Sequence, residues 1–228
     1  MGTKRILFAG NFHWNAGSSH TIAAYAEART SLGCEIGVST QLARLDYELQ
    51  YIGANWWRWE GLSAVVQAAV SADPPLRRIR VCGRWWDSQA CPGHERATAS
   101  EPGWLADRGI EVAPSVPFGR VISEMCRSAI SPVLVRPVLA RMGLLTPRMF
   151  ETLAAGSVPV LTDDLNYLTS VYGDEAELFR LETEVNEKLA EMLRDHNRYR
   201  RALTRIQDRV YATFNYEHIL ADLLRFLR

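Results

Sequence analysis

Leu145-Thr-Pro-Arg-Met-Phe-Glu-Thr-Leu-Ala-Ala-Gly-Ser-Val-Pro-Val-Leu-Thr-Asp-Asp164 is the stretch that decides how this chain folds. Its spacing predicts a short helix that starts at a proline and stops at a glycine, with a buried strand directly after it. Thr146 takes the N-cap, Pro147 suits the first helical position, and Gly156 suits the left-handed residue after the last turn. Val158, Val160 and Leu161 form the apolar run of a parallel-sheet strand, which closes in the acidic turn Asp163-Asp164. Arg148 and Glu151, three apart, fall on one face of the first helical turn. A guanidinium and a carboxylate at a helix N-terminus, on the rim of an α/β sheet, suit a ligand with phosphates and a ribose. The competing reading is an exposed ion pair worth only about 0.2–0.5 kcal/mol.

Strands and helices alternate on either side of this motif. Upstream, a strand at 49–52 precedes a helix over 60–71, apolar at Leu62, Val65, Val66, Ala69 and Val70, which Asp73-Pro-Pro75 breaks. Strands are expected at 79–82, 110–112 and 130–135, with helices at 104–108 and 118–128. Residues 85–102, without periodicity, read as a surface loop, and 138–143 as another. At the start of the chain, a strand at 5–9, a helix ending at Gly33 and a strand at 34–39 make a βαβ unit. Alternation of this kind means a parallel α/β sheet, Rossmann-like and doubly wound.

Bulk properties exclude several classes. The 228 residues carry 26 basic and 26 acidic side chains, so a net charge of zero gives no electrostatic case for nucleic acid. Cys34, Cys82, Cys91 and Cys126 show no metal spacing and read as free, mostly buried thiols of a reducing compartment. No run approaches the ~18 apolar residues of a membrane span, and the start leads into a strand rather than a signal segment. A cytoplasmic location is expected.

The pattern Pro-Arg-x-Phe-Glu-x-Leu-Ala-x-Gly-x-x-x-Val resembles the sugar-nucleotide-binding half of GT-B glycosyltransferases, most closely the CgeB-like (spore-maturation-protein-like) branch of the group-1 transferases. Leu165 to Tyr172 with Gly173, the charged helix at about 183–195, and Phe214-Asn-Tyr-Glu-His218 follow in the family's order. The resemblance implies three parts. Residues 1–48 would be a partial N-terminal, acceptor-side Rossmann-like segment, 49–214 the nucleotide-sugar domain, and 215–228 a C-terminal crossover helix. The N-terminal domain is then incomplete, because about ten residues separate the second strand from the start of the second domain.

That resemblance also implies the chemistry: transfer of a sugar from a UDP-, dTDP- or GDP-linked donor to an unknown acceptor. It needs no cofactor and no metal, and the sequence has no Asp-x-Asp pair. Glu151 corresponds to the glutamate that accepts from the ribose hydroxyls. Three basic groups could face the diphosphate: Arg58 after the Gly53-Ala-Asn55 turn, Arg136 after the Val133-Leu-Val strand, and Arg148 beside Thr146 in the motif. An acid found earlier in the wider family's motif is replaced here by Gly143. His13, in the first loop, is the candidate general base. Trp56, Trp57, Trp59, Trp85 and Trp86 could stack a base or sugar, or could cap the core. His196 and His218 read as solvated, and Ser123 and Glu124 as a helix surface.

Two other functions compete with the transferase. One is a non-catalytic relative that binds nucleotide or serves as a partner protein. The other, a dinucleotide oxidoreductase, is disfavoured, because the Gly10 loop lacks Gly-x-Gly-x-x-Gly and no acid ends the second strand.

Overall fold

The computed structural model describes residues 45–162, 168–181 and 187–213. The expected βαβ unit at 5–39, His13 and the crossover helix at 215–228 lie outside them. Five parallel strands form one sheet: β1 (Tyr47–Ile52), β2 (Ile79–Cys82), β3 (Glu111–Ala113), β4 (Ser128–Val133) and β5 (Val158–Leu161), in the order β3-β2-β1-β4-β5. The register is set by pairs such as Leu49 with Ile79 and with Ile130, and Ile130 with Val158. This is the Rossmann-like α/β sheet expected. β4 and β5 are buried at every position, as strands covered on both faces must be.

The helices follow from the same sequence features. In α1 (Trp59–Ser71), Leu62, Val65, Val66 and Ala69 recur at i, i+3, i+4 and i+7 and are all buried. Short helices α2 (Pro102–Asp107) and α3 (Val121–Met125) precede β3 and β4, and α3 is shorter than its expected 118–128 because a 3₁₀ turn occupies Phe118–Arg120. Right-handed crossovers put α1 and α2 on one face of the sheet and α3 and α5 (Pro147–Ala155) on the other. Gly156 ends α5 at φ 66°, donating its amide to Leu153 O at 3.0 Å. Beyond β5 come α6 (Thr169–Tyr172), α7 (Lys188–Arg194) and α8 (His196–Thr213).

Several expectations need correcting. The stretch at 138–143 is not all loop, since Pro137–Arg141 forms the short helix α4. Five residues are too few to show a helical period. Nor is 85–102 simply surface: Trp86 is fully buried, packs edge-on against Tyr51 at 5.7 Å and donates Nε1–H to Gly53 O at 2.7 Å. Glu124 is not idle at a helix surface, because it bridges Arg80 at 3.3 Å and Arg127 at 2.7 Å. His196 is half-buried, not solvated, with Nε2 3.5 Å from Ala129 O. Of the described cysteines only Cys82 is fully buried, while all three are free thiols.

Two strand ends meet closely enough to demand glycine. At Gly83, φ is 147° and an added Cβ would fall 2.1 Å from Gly53 O. Gly83→Ala is expected to cost about 3 kcal/mol by overpacking against immovable backbone. Gly93→Ala, also at positive φ (75°) but in open space, should cost only about 1 kcal/mol. Urea midpoints compare the two. His196 gives a pH test. Burial holds its pKa below the usual histidine value, although the Ala129 carbonyl pulls the other way. The unfolded chain therefore binds the proton more readily, and stability present above about pH 6.5 is lost as the pH falls through the folded pKa. His196→Asn should shrink the loss of unfolding free energy between about pH 7.5 and about pH 5.5, measured at both values.

Candidate functional site

The chain leaves β1 for β2 on one side and leaves β4 for β5 on the other, so a crevice opens between the carboxyl ends of β1 and β4. Two turns line it. The turn after β1 is pinned where Gly53 N–H donates to Cys82 O at 2.8 Å. Asn55 then shares its Nδ2 among the carbonyls of Trp85, Thr98 and Ala99 at 2.7–3.2 Å. Trp57 follows at φ 58°, a strained value for a bulky side chain. Arg58 is the N-cap of α1, and no side chain caps that helix start.

Arg58 joins the two turns. Its Nε donates to Leu134 O at 3.1 Å across the crevice, and its Nη1 to Ala54 O at 3.0 Å. Arg136, the N-cap of α4, lies over the Trp56 ring at 5.3 Å, and its buried Nε has no hydrogen-bond partner. Burial lowers the Arg136 pKa, and the positive charge of Arg58 lowers it further. Arg80, Arg127, Arg205 and Arg209 all pair with carboxylates, but among the described residues neither Arg58 nor Arg136 has one within 4.0 Å. Two guanidiniums without an acid, beside an uncapped helix start, make a place for an anion. Next to them a cleft of about 130 Å³ is lined by Trp57, Arg58, Glu60, Leu134, Pro137 and Ala140.

Arg148 and Glu151 meet as their spacing requires, with Nη1 3.0 Å from Oε2. The pair is not the exposed one of the competing reading, because Glu151 is 5% exposed. Arg148 also approaches Met125 Sδ at 3.3 Å and lies 5.9 Å from the Tyr51 ring centroid, so α3 and β1 help bury the pair. Thr146 occupies the N-cap of α5 with its amide 3.5 Å from Met149 Sδ, while its buried Oγ1 has no hydrogen-bond partner. The carboxyl rim therefore holds two sets of groups: Arg58 with Arg136, and Arg148 with Glu151 and Thr146.

The tryptophans divide by role. Trp86 is sealed in the core, and Trp59 packs edge-on against Trp104 at 5.8 Å. Trp56 contacts Trp85 at 5.3 Å and His94 at 4.9 Å, forming the floor under Arg136. Trp57 is 50% exposed at the cleft. Asn55 and Glu60 are site residues that sequence reasoning did not single out. The Gly53-Ala-Asn55 turn carried a signal for Asn55, but nothing in the sequence marked Glu60.

A stability asymmetry follows from the burial of the pair. Arg148→Met removes the ion-pair partner of the buried Glu151 carboxylate and should cost about 3 kcal/mol. Glu151→Gln leaves Arg148 without its counter-ion, but that longer side chain can reach water, so the change should cost about 1 kcal/mol. Denaturant unfolding of both variants checks the order.

Comparison with known proteins adds the family. No protein of curated function matches the sequence. Among solved structures, the chain is similar to the crystal structure of α,α-trehalose 6-phosphate synthase from Burkholderia multivorans. The identity is 14% and the TM-score 0.45, over 88% of this chain and 49% of that one. The present chain thus spans about half the length of that synthase. The family model described as glycosyl transferase-like matches residues 58–225. Because that match covers well over half of the sequence, and includes Arg58, Arg136 and the whole Arg148–Glu151 motif, the chain belongs to the glycosyl transferase-like family.

Proposed function

We propose that this chain transfers a sugar from a nucleotide-diphosphate donor to an acceptor hydroxyl, with arginines rather than a metal ion holding the diphosphate. One observation carries the reading: among the described residues Arg58 and Arg136 stand without carboxylate partners at the strand switch point, and Arg136 Nε is buried and unpartnered there. In the transfer, the bond between the sugar carbon and the diphosphate oxygen breaks, and negative charge builds on the departing phosphate. Preorganised guanidiniums and the open N–H groups of α1 stabilise that charge in a partly desolvated crevice. Arg148 and Thr146 add hydrogen-bond donors at the rim, and Gly53 lets the donor approach the turn backbone closely.

Glu151 takes the ribose role. A carboxylate held by Arg148 has its orientation set before the ligand arrives, and accepts from a sugar hydroxyl. His13, outside the described residues, is the proposed base that removes the acceptor proton. On this reading 49–214 is the donor unit of a GT-B enzyme, 1–48 belongs to the acceptor side and 215–228 is the crossover helix. The Pro-Arg-x-Phe-Glu motif supports the CgeB-like branch. No helix among the described residues is long and apolar enough to cross a membrane, and we place the enzyme in the cytoplasm.

Calorimetric titration of UDP, dTDP and GDP tests the proposal. At least one should bind the wild type. Arg136→Ala should weaken that binding by about tenfold or more, since a charge-assisted hydrogen bond contributes ~1.5–3 kcal/mol. Glu151→Ala should weaken the nucleoside diphosphate but not inorganic pyrophosphate. Negligible heats for all three nucleotides with the wild type would overturn the reading.

A further inference from the structure

The cleft beside the arginines has a composition of its own. Trp57 is the only described tryptophan left exposed, and it is held out by an unusual backbone, with φ 58° and its N–H bonded to Ala97 O at 2.6 Å. Strain of this kind persists where surrounding structure over-determines it, and it clusters at ligand sites. Glu60, in the first turn of α1, also lines the cleft and is exposed. Its carboxylate has no hydrogen-bond or ion-pair partner among the described residues, although Arg58 is two positions away and committed to two carbonyls. Leu134, Pro137 and Ala140 supply apolar walls.

An indole face, an acceptor-only carboxylate and apolar walls match a ring with C–H faces and outward hydroxyls. Arg58, one of the two guanidiniums assigned to the diphosphate, lines the cleft, so a group esterified to that diphosphate falls into it. We infer that the Trp57–Glu60 cleft receives the transferred sugar and selects an uncharged one, because a carboxylate on the sugar would face the Glu60 carboxylate. This rests on the proposed donor-binding role of Arg58 and Arg136. Glu60 is here a specificity-determining residue, and Trp57 a packing surface for the ring. Like-charge juxtaposition in a confined cleft is an effective way to reject a wrong ligand.

The test compares matched ligands by calorimetry: UDP, UDP-glucose and UDP-glucuronate, and GDP, GDP-mannose and GDP-mannuronate. The wild type should bind the neutral sugar nucleotide about tenfold or more tightly than its uronate. Glu60→Gln should bring that ratio to about threefold or less, and Glu60→Lys should invert it. Trp57→Ala should weaken both sugar nucleotides. Trp57→Ala and Glu60→Gln should bind bare UDP or GDP within about threefold of the wild type, and Glu60→Lys at least as tightly as the wild type, which also shows that they are folded. An unchanged neutral-to-uronate ratio in Glu60→Gln and Glu60→Lys would overturn the inference while leaving the donor site standing. Loss of bare nucleotide binding in step with the sugar nucleotides would overturn it as well. Failure of the wild type to bind any bare nucleotide removes both the inference and the function beneath it.

Discussion

β1 and β4 lie side by side, yet right-handed crossovers carry the chain leaving β1 to one edge of the sheet and the chain leaving β4 to the other. Their following turns must therefore diverge, and divergence opens the crevice at their carboxyl ends. The groups around the cleft reach it through this constraint. Gly53, Trp57, Arg58 and Glu60 come from the turn and helix start after β1, while Leu134, Arg136 and Pro137 come from the turn after β4. Arg58 is bonded across the gap to Leu134 O, so one guanidinium both braces the crevice and charges it.

Electrostatics separates the two halves of the rim. Arg148 has its own counter-ion in Glu151, buried with it against Met125 and Tyr51. That pair is neutral as a unit and costs desolvation to form, so it serves orientation more than attraction. Among the described residues Arg58 and Arg136 have no such compensation, and Arg136 is partly desolvated over Trp56. Positive charge that no described carboxylate neutralises suits an anion, which is why these two arginines carry the proposed function. Under the proposed function that anion is the diphosphate of the sugar donor.

The loop after β2 shows how packing supports the site from behind. Trp86 reaches back to Gly53 O, Asn55 gathers three carbonyls of the same loop, and the Trp57 amide bonds Ala97 O. These contacts over-determine the short turn between β1 and α1 and hold Trp57 in a backbone state it would not adopt alone. Gly83 allows the two turns to touch, because a Cβ there would fall on Gly53 O, while one on Gly53 would meet the Tyr51 side chain.

The local periods of this sequence determined much by themselves. Apolar runs marked the strands because both faces of a parallel sheet are dry, and Leu62, Val65, Val66 and Ala69 marked α1 because one helical stripe must meet the sheet. Proline and glycine bounded α5 because their backbone preferences are local, and Arg148 met Glu151 because three residues make nearly one turn. Burial and partnership across the sheet were decided only in three dimensions. Nothing in the order of residues told Trp86 from Trp57, or a half-buried His196 from a solvated one, or marked α4 within five residues. Those outcomes depend on groups thirty to seventy positions away, such as Gly53 O for Trp86 and Ala129 O for His196, brought near by strand order. The uncompensated pair Arg58 and Arg136 is of this kind too: each was visible as an arginine, but their shared crevice exists only once β1 and β4 are neighbours.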